Sequence, residues 1–499
     1  MSAPSLNWRH CWPHAVPIET HISLVLLDGD FAWKIKKPVQ LPFLDFSTLA
    51  LRRHYCEEEL RINRRSAPDV YLDVLPLTGS AQAPVLAGSG EPIEWVLRMR
   101  CFPPHSLFSD LAAEGRLQAW HIDALAEQIA LLHLGQAPLA VAPAKDVTAW
   151  TLESVDEIAA LHPDATSPAR LAAMRSAVQR LIGGQGDWRA RRLAGGWLRE
   201  GHGDLHLGNL VVWHQRVLAF DAIEFDPALR CIDVISDAAF AYMDLLAVGL
   251  PAFALRFINA YVERSGDYAG LAGLRAFSLY RALVRAKVAL LCGDVGRFAR
   301  YWSVAESFAA APPPPRLFLT MGLSGSGKSM AAQMLVEALA EAGIMAVRLR
   351  SDVERKRLLG LPPTARPDPA LAYSAEATRR TYRRLAGLAD ALLGDGFSVV
   401  VDAAFLRQGE RESFRRIAEN RRVPFRLLEV VAGMPLMEER LVARNLAADD
   451  ASDADVEVLH RQSAEPVPRA WAAVHRVIDN EGSRAELSDR LESLLREPV

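Results

Sequence analysis

The spacing of apolar and polar positions changes character once along the chain. Beyond residue 316, short apolar runs alternate with longer stretches of helical period. The pattern predicts strands over 317–321, 345–349, 397–401, 424–431 and 474–478. It predicts helices over 328–342, 371–393, 409–420, 435–446 and 483–496. Strands alternating with helices of this length imply a parallel sheet covered on both faces. The earlier half opens differently. Strand-like segments 23–27 and 31–37 flank Asp28-Gly29-Asp30, a hairpin signal. A helix is expected over 49–65, a strand over 94–100, a helix over 118–134 and mostly helix over 233–309. A strand-rich start followed by a helical bulk is an α+β pattern. Ala311 and four prolines to Arg316 separate the halves, because such a run fits neither helix interior nor central strand. The expected organisation is an α+β module over 1–310, a Pro-rich linker over 311–316 and an α/β module over 317–499.

Composition narrows the function classes. The chain has 499 residues, half of them hydrophobic and 23% charged, which excludes a disordered or fibrous protein. A net charge of −3 excludes a grossly basic nucleic-acid coat but not a local basic groove. The five cysteines are scattered and show no metal spacing, as in a reducing compartment. No secretory signal pattern opens the chain, and the apolar run 245–255 is too short to span a bilayer. These features predict a cytoplasmic protein without membrane association. Lysine is scarce, seven against fifty arginines, yet Lys34, Lys36 and Lys37 cluster and Lys328 sits in a glycine loop. A compact ammonium placed against phosphate would account for both.

Gly322-Leu-Ser324-Gly325-Ser326-Gly327-Lys328-Ser329 fits the phosphate-binding pattern GxxxxGK[ST], between an apolar strand and a helix. Backbone N–H groups of such a loop cradle phosphate oxygens, and the helix N-terminus adds a positive dipole. Lys328 is the group for the β- and γ-phosphates, and Ser329 offers its hydroxyl to Mg²⁺. Asp402 ends the third strand of this module, where open parallel sheets bind ligands; it suits either a metal site or a helix cap. Asp352, after the second strand, suits either a base for a substrate hydroxyl or a cap, with Arg355 one turn on for phosphate. Arg440 and Arg444 share a helix face and precede the polar stretch 447–453. They suit either a lid closing on phosphate or a solvated helix. Together these residues resemble the P-loop kinases of small hydroxyl substrates, above all polynucleotide 5′-hydroxyl kinases and zeta-toxin-like relatives, over about 317–480. That resemblance implies that Asp352 acts on the acceptor hydroxyl and that Arg440 and Arg444 clamp phosphates.

In the first module, His202-Gly-Asp204 precedes Asn209, then two apolar runs joined by a turn, then Asp221. A hairpin there brings Asn209 and Asp221 together, an amide and a carboxylate suited to Mg²⁺ carrying nucleotide phosphates. Asp204 projects to the same place as the candidate proton acceptor, and His202 suits a role in holding the loop. The pattern H-x-D-x-x-x-x-N, hairpin, Asp is kinase-like. Upstream, Lys34 or Lys36 would reach phosphate, with Lys34 preferred. Among Glu57, Glu58 and Glu59, Glu59 is the preferred ion-pair partner. This module resembles the aminoglycoside-phosphotransferase and choline-kinase branch of the kinase-like fold over about 20–300. The resemblance implies Asp204 as base, Asn209 and Asp221 as Mg²⁺ ligands, and Lys34 on the α/β-phosphates. Two departures, Asp28-Gly29-Asp30 in place of a GxGxxG loop and Ala-Ile-Glu224 after Asp221, argue against a protein kinase. The combination resembles a family joining a kinase-like domain to a P-loop ATPase.

The expectation is a bifunctional phosphotransferase moving the ATP γ-phosphoryl group to small hydroxyl substrates with Mg²⁺. A regulatory pair with one non-catalytic module is the alternative from another class. A third reading is a polynucleotide kinase, with Arg379, Arg380, Arg383 and Arg384 as a local basic face for nucleic acid. The acceptors and the oligomeric state are not legible in the chain.

Overall fold

A computed structural model describes residues 6–41, 44–142, 146–162, 167–363, 365–447 and 452–497. The chain forms two compact units, residues 1–248 with 276–306 and residues 249–275 with 307–499.

Unit 1 begins with a six-stranded antiparallel sheet built from β1 (Val16–Glu19), β2 (Ser23–Asp28), β3 (Phe31–Lys36), β4 (Tyr71–Gly79), β5 (Pro84–Leu86) and β6 (Glu94–Arg100). Its order is β1-β2-β3-β6-β4-β5. Helix α1 (Leu49–Asn63), capped by the Thr48 hydroxyl, packs on β6 and β4. One face of the sheet buries Trp12, Leu26, Trp33, Ile35, Leu77 and Val96. The helical bulk comprises α2 (Ala119–Leu134), α3 (Val147–Leu161) and α4 (Gly186–Ala194). Two short strands, β7 (Leu198–Glu200) and, later, β10 (Cys231–Asp233), pair with each other, and the hairpin β8 (Leu210–Trp213) to β9 (Arg216–Ala219) lies between them. Helix α5 (Val234–Ala247) follows and is buried nearly all round, as its mostly apolar sequence requires.

The sequence places 249–275 with the first module, but these residues pack with the second unit. Helix α6 (Pro251–Ser265) lies against the P-loop helix and the second parallel strand of that unit, and Asn259 joins that strand at Ala346 O (3.0 Å) and Arg348 N (2.7 Å). Helices α7 (Leu274–Leu291) and α8 (Val295–Ala309) then supply 276–306 to unit 1.

Unit 2 has five parallel strands: β11 (Leu317–Met321), β12 (Ala346–Arg350), β13 (Ser398–Asp402), β14 (Phe425–Val431) and β15 (His475–Asp479). Their order is β12-β13-β11-β14-β15, and every position of β11 and β13 is buried, as in a sheet covered on both faces. The crossovers use α9 (Lys328–Glu341), α10 (Ser351–Leu358), α11 (Ala375–Gly394), α12 (Gln408–Arg421) and α13 (Met434–Ala447). Helices α14 (Val456–Arg461) and α15 (Arg484–Arg496) complete the unit. The expected fold class is present, with an α+β unit preceding an α/β P-loop unit. Among the described residues no helix is long and apolar enough to cross a membrane.

Candidate functional site

In unit 2 the loop Gly322–Ser329 runs from the end of β11 into α9. Gly325 has φ +82°, and a Cβ there would lie 2.6 Å from Met437 O, so a side chain is excluded twice over. The loop borders a cleft of about 560 Å³ that also takes in Asp352, Arg355, Asp402, Arg440 and Arg444. Lys328 Nζ donates to the loop's own Leu323 O at 2.7 Å. Burial lowers the Lys328 pKa to about 8, against the pull of Asp402 and Asp352.

Ser329 Oγ donates to Asp402 Oδ1 at 3.2 Å. Among the described residues the buried Asp402 Oδ2 has no hydrogen bond, and burial raises the pKa of this carboxyl against Arg348 and Arg350. An orphaned carboxylate oxygen beside a hydroxyl is a donor pair that fits a hard cation such as Mg²⁺. Arg350 Nε stands 3.8 Å from that oxygen, while Arg350 and Arg348 are held by Glu263 of α6 at 3.0 and 3.4 Å.

Asp352 lies inside the first turn of α10, and neither it nor Asp402 caps a helix; Arg350 and Arg407 occupy the cap positions nearby. Arg355 donates to Ala372 O at 3.0 Å, and its guanidinium stacks 4.7 Å from the Tyr373 ring. Arg440 donates to Asn480 O at 2.8 Å, and Asn480 donates to Ser326 O at 2.8 Å. Arg444 donates to Ala454 O at 2.6 Å. Among the described residues the buried Nε atoms of Arg355 and Arg444, both lining the cleft, and the buried Ser326 hydroxyl have no hydrogen-bond partner. Of the polar stretch expected to act as a lid, 448–451 lie outside the described residues. Sequence reasoning missed Asn480, Gln462 (which accepts from Ser324 N at 2.7 Å) and Glu263. Asn480 follows the carboxyl end of β15, the position rule that singled out Asp402.

In unit 1 the register of β3 against β2 and β6 sends Lys34 and Lys36 to one face, toward α1. Glu59 takes Lys34 at 2.7 Å on one oxygen and Lys36 at 2.8 Å on the other. Lys34 also meets Asp221 at 2.7 Å, and Lys36 meets Glu224. Glu57 and Glu58 turn to Arg53, and to Arg61 and Arg230. Burial pushes the Glu59 carboxyl up, but the two ammoniums outweigh it and hold its pKa at about 2. Burial also raises Glu224.

The segment His202–Asn209 is fixed from behind. Gly203, with φ +85°, approaches so closely that a Cβ would stand 2.8 Å from Leu229 O. Asp237 of α5 accepts from His202 N (2.6 Å) and Gly203 N (2.9 Å), and its Oδ2 lies 3.1 Å from His133 Nε2. Asp244 of α5 accepts from Leu207 N at 2.8 Å. The buried His202 ring hydrogen-bonds Phe220 O at 2.9 Å, and burial lowers its pKa. Asn209 Nδ2 donates to Asp204 O (3.0 Å) and Asp204 Oδ2 (3.1 Å). Burial opposes ionisation of Asp204, but His206, 3.4 Å away, and Arg285 hold its carboxyl well below the usual range. Across the β8–β9 hairpin, Phe220 N donates to Asn209 O at 3.0 Å, so Asp221 follows directly beside Asn209. Asp221 sits at φ +61°, with its N–H on the Tyr71 hydroxyl at 3.0 Å. Its half-exposed carboxylate and Asn209 Oδ1, which accepts no hydrogen bond among the described residues, are oxygen donors that fit Mg²⁺. Asp226 caps a turn at Ala228 N (2.9 Å). Sequence reasoning missed Asp237, Asp244 and Tyr71; the carboxylates stood out as the acidic residues of an otherwise apolar helix.

The family described as "AAA domain" matches residues 317–466, so unit 2 carries a nucleotide-binding P-loop domain. Among solved structures, the APS kinase CysC of Mycobacterium tuberculosis, in complex with AMPPNP and APS, is 23% identical with a TM-score of 0.29. It covers 37% of this chain and 100% of that one. A choline/ethanolamine kinase family protein from Mesorhizobium loti is 14% identical with a TM-score of 0.36, covering 58% of this chain and 88% of that one. The uncharacterized protein Rv2004c of Mycobacterium tuberculosis (strain H37Rv) is 30% identical over 481 residues, 93% of this chain and 92% of its own. The uncharacterized protein Mb2027c of Mycobacterium bovis matches to the same extent. The likeness spans both units, and the chain belongs to the family of these mycobacterial proteins.

Proposed function

We propose that the protein is an ATP-dependent phosphotransferase whose P-loop unit moves the γ-phosphoryl group to a hydroxyl of a small molecule. The observation that carries this reading is the buried Asp402 Oδ2, without a hydrogen bond among the described residues, beside Ser329 and Lys328 in a cleft shared with Asp352 and four arginines. Lys328 exchanges Leu323 O for the β- and γ-phosphate oxygens. Ser329 and Asp402 would hold a magnesium ion, which would screen the charge of the phosphates. Asp352 accepts the hydroxyl proton as the acceptor oxygen bonds to the γ-phosphorus and the bond to the ADP oxygen breaks. Arg355, Arg440 and Arg444 neutralise the charge on the transferring group.

Unit 1 is proposed as a second phosphotransferase, with Asp204 as base, Lys34 on the α/β-phosphates and Asn209 with Asp221 toward Mg²⁺. The reduced turn Asp28-Gly29-Asp30 favours a second reading, in which unit 1 binds nucleotide and regulates without turnover. The test is Mg²⁺-dependent ATP turnover by the whole protein, Lys328→Ala and Asp204→Ala, with and without pooled hydroxyl compounds and 5′-hydroxyl oligonucleotides. Two activities lost separately support bifunctionality. Loss in Lys328→Ala alone supports the regulatory reading. Full turnover in both variants overturns the proposal.

A further inference from the structure

Unit 1 has a second cleft, of about 350 Å³, that does not include Asp204 or the lysines of β3. Its walls come from α3, α4, β10 and α7, and its lining is mostly apolar: Trp150, Leu193, Ile232 and Phe277. The volume lies in the range of small-molecule pockets.

The cleft is lined by two arginines and two carboxylates, but they do not pair with one another. Arg281 lines it and is only 4% exposed. Its Nε and Nη1 donate to Ser236 O (3.2 Å) and Gly203 O (3.0 Å), and its guanidinium lies 5.1 Å from the Tyr280 ring. Among the described residues it has no carboxylate partner, and Nη2 has no hydrogen bond. Arg189, on α4, also lines the cleft and has neither an ion pair nor a hydrogen bond among the described residues. The two lining carboxylates are committed elsewhere. Asp233 is taken by Arg192 through two bonds of 2.8 Å, and the exposed Asp146 caps α3 at Thr148 N (2.9 Å). A buried guanidinium served by two carbonyls and the Phe240 and Tyr280 rings, with no carboxylate among the described residues, is incompletely compensated, and an anion is the ligand that completes it.

We infer that this cleft binds an amphipathic organic acid, with its apolar body among Trp150, Leu193, Ile232 and Phe277 and its anionic head on Arg189 and Arg281. The site is separate from both nucleotide sites, and its occupancy does not depend on the phosphotransferase reading. Arg281 also holds the carbonyl of the residue before Asp204.

Decanoate is the probe, with decanol and decylamine as neutral and cationic controls of the same body. Calorimetric titration into the full-length protein is expected to show saturable binding of decanoate at one site, with decanol and decylamine weaker by roughly tenfold or more. Arg189→Glu is expected to weaken decanoate by roughly tenfold, and Arg189→Lys to restore most of it. Leu193→Trp fills the cleft and is expected to abolish binding. Each variant is checked for an unchanged unfolding transition and unchanged MgATP binding. If Leu193→Trp does not fold, the Arg189 pair decides alone. Absence of saturable decanoate binding, equal binding of decanol, or undiminished binding in Arg189→Glu overturns the inference.

Discussion

Lys34 and Glu59 meet at 2.7 Å, and the second oxygen of the same carboxylate holds Lys36, so a single buried glutamate bridges two ammoniums. Asp221 and Glu224 close the chain of charges at either end. Glu59→Gln removes the shared charge and leaves two lysines pressing on an amide. The expected loss is about 3–5 kcal/mol in denaturant unfolding. A loss below ~1 kcal/mol would show that Asp221 and Glu224 suffice.

The same carboxylate sets an acid limit. Its folded pKa of about 2 lies below the 4.5 of a free glutamate. Its stabilisation is therefore complete above that free value and lost as pH falls toward the folded one. Acid titration of the wild type and Glu59→Gln should give stability curves that converge as pH falls through this window. Parallel curves would contradict the shift.

Lys328 gives the opposite sign. With its pKa lowered to about 8, it is partly neutral in the empty site at mildly alkaline pH, and phosphate favours its charged form. Nucleotide binding should then take up a proton and weaken roughly tenfold between pH ~7 and ~9. Calorimetry in buffers of different ionisation enthalpy reads the proton directly. Binding without proton uptake at alkaline pH would rule this out.

Glu263 restrains Arg350, whose Nε is already 3.8 Å from Asp402 Oδ2. Glu263→Gln releases Arg348 and Arg350 to compete for that oxygen. The Mg²⁺ concentration for half-maximal nucleotide binding should rise by roughly three- to tenfold. An unchanged Mg²⁺ requirement would show that the arginines stay in place without Glu263.

Asp237 accepts two backbone N–H groups of the segment that carries Asp204. Asp237→Asn puts an amide N–H₂ among donors and should cost roughly 2–3 kcal/mol. It should lower any Asp204-dependent turnover more than it changes nucleotide affinity. Full turnover in this variant would show that the loop is held without it.

The strands of unit 2 are legible because a sheet covered on both faces leaves short apolar runs such as Leu317-Phe318-Leu319 and Val399-Val400-Val401. Strand β4 was not read, because its half-buried surface mixes Tyr71, Asp73, Pro76 and Thr78 without a clean period. The glycine loop and the Asp204–Asn209–Asp221 spacing are local and could be read. The pairings Lys36 with Glu224 and Glu263 with Arg350 join residues far apart in sequence, and no local pattern announces them. The same holds for helix α6: its helical period is clear in the sequence, but nothing local marks the second unit as the partner of its apolar face.

That helix bears on how the protein is made. The chain passes between its two units near residues 248, 275 and 306, not once at the prolines. During synthesis, unit 1 stays unfinished until α7 and α8 have emerged, while α6 waits for the P-loop helix and β12 that it covers. A gene cut at the prolines would give a first fragment carrying an orphaned helix and a second fragment missing one wall.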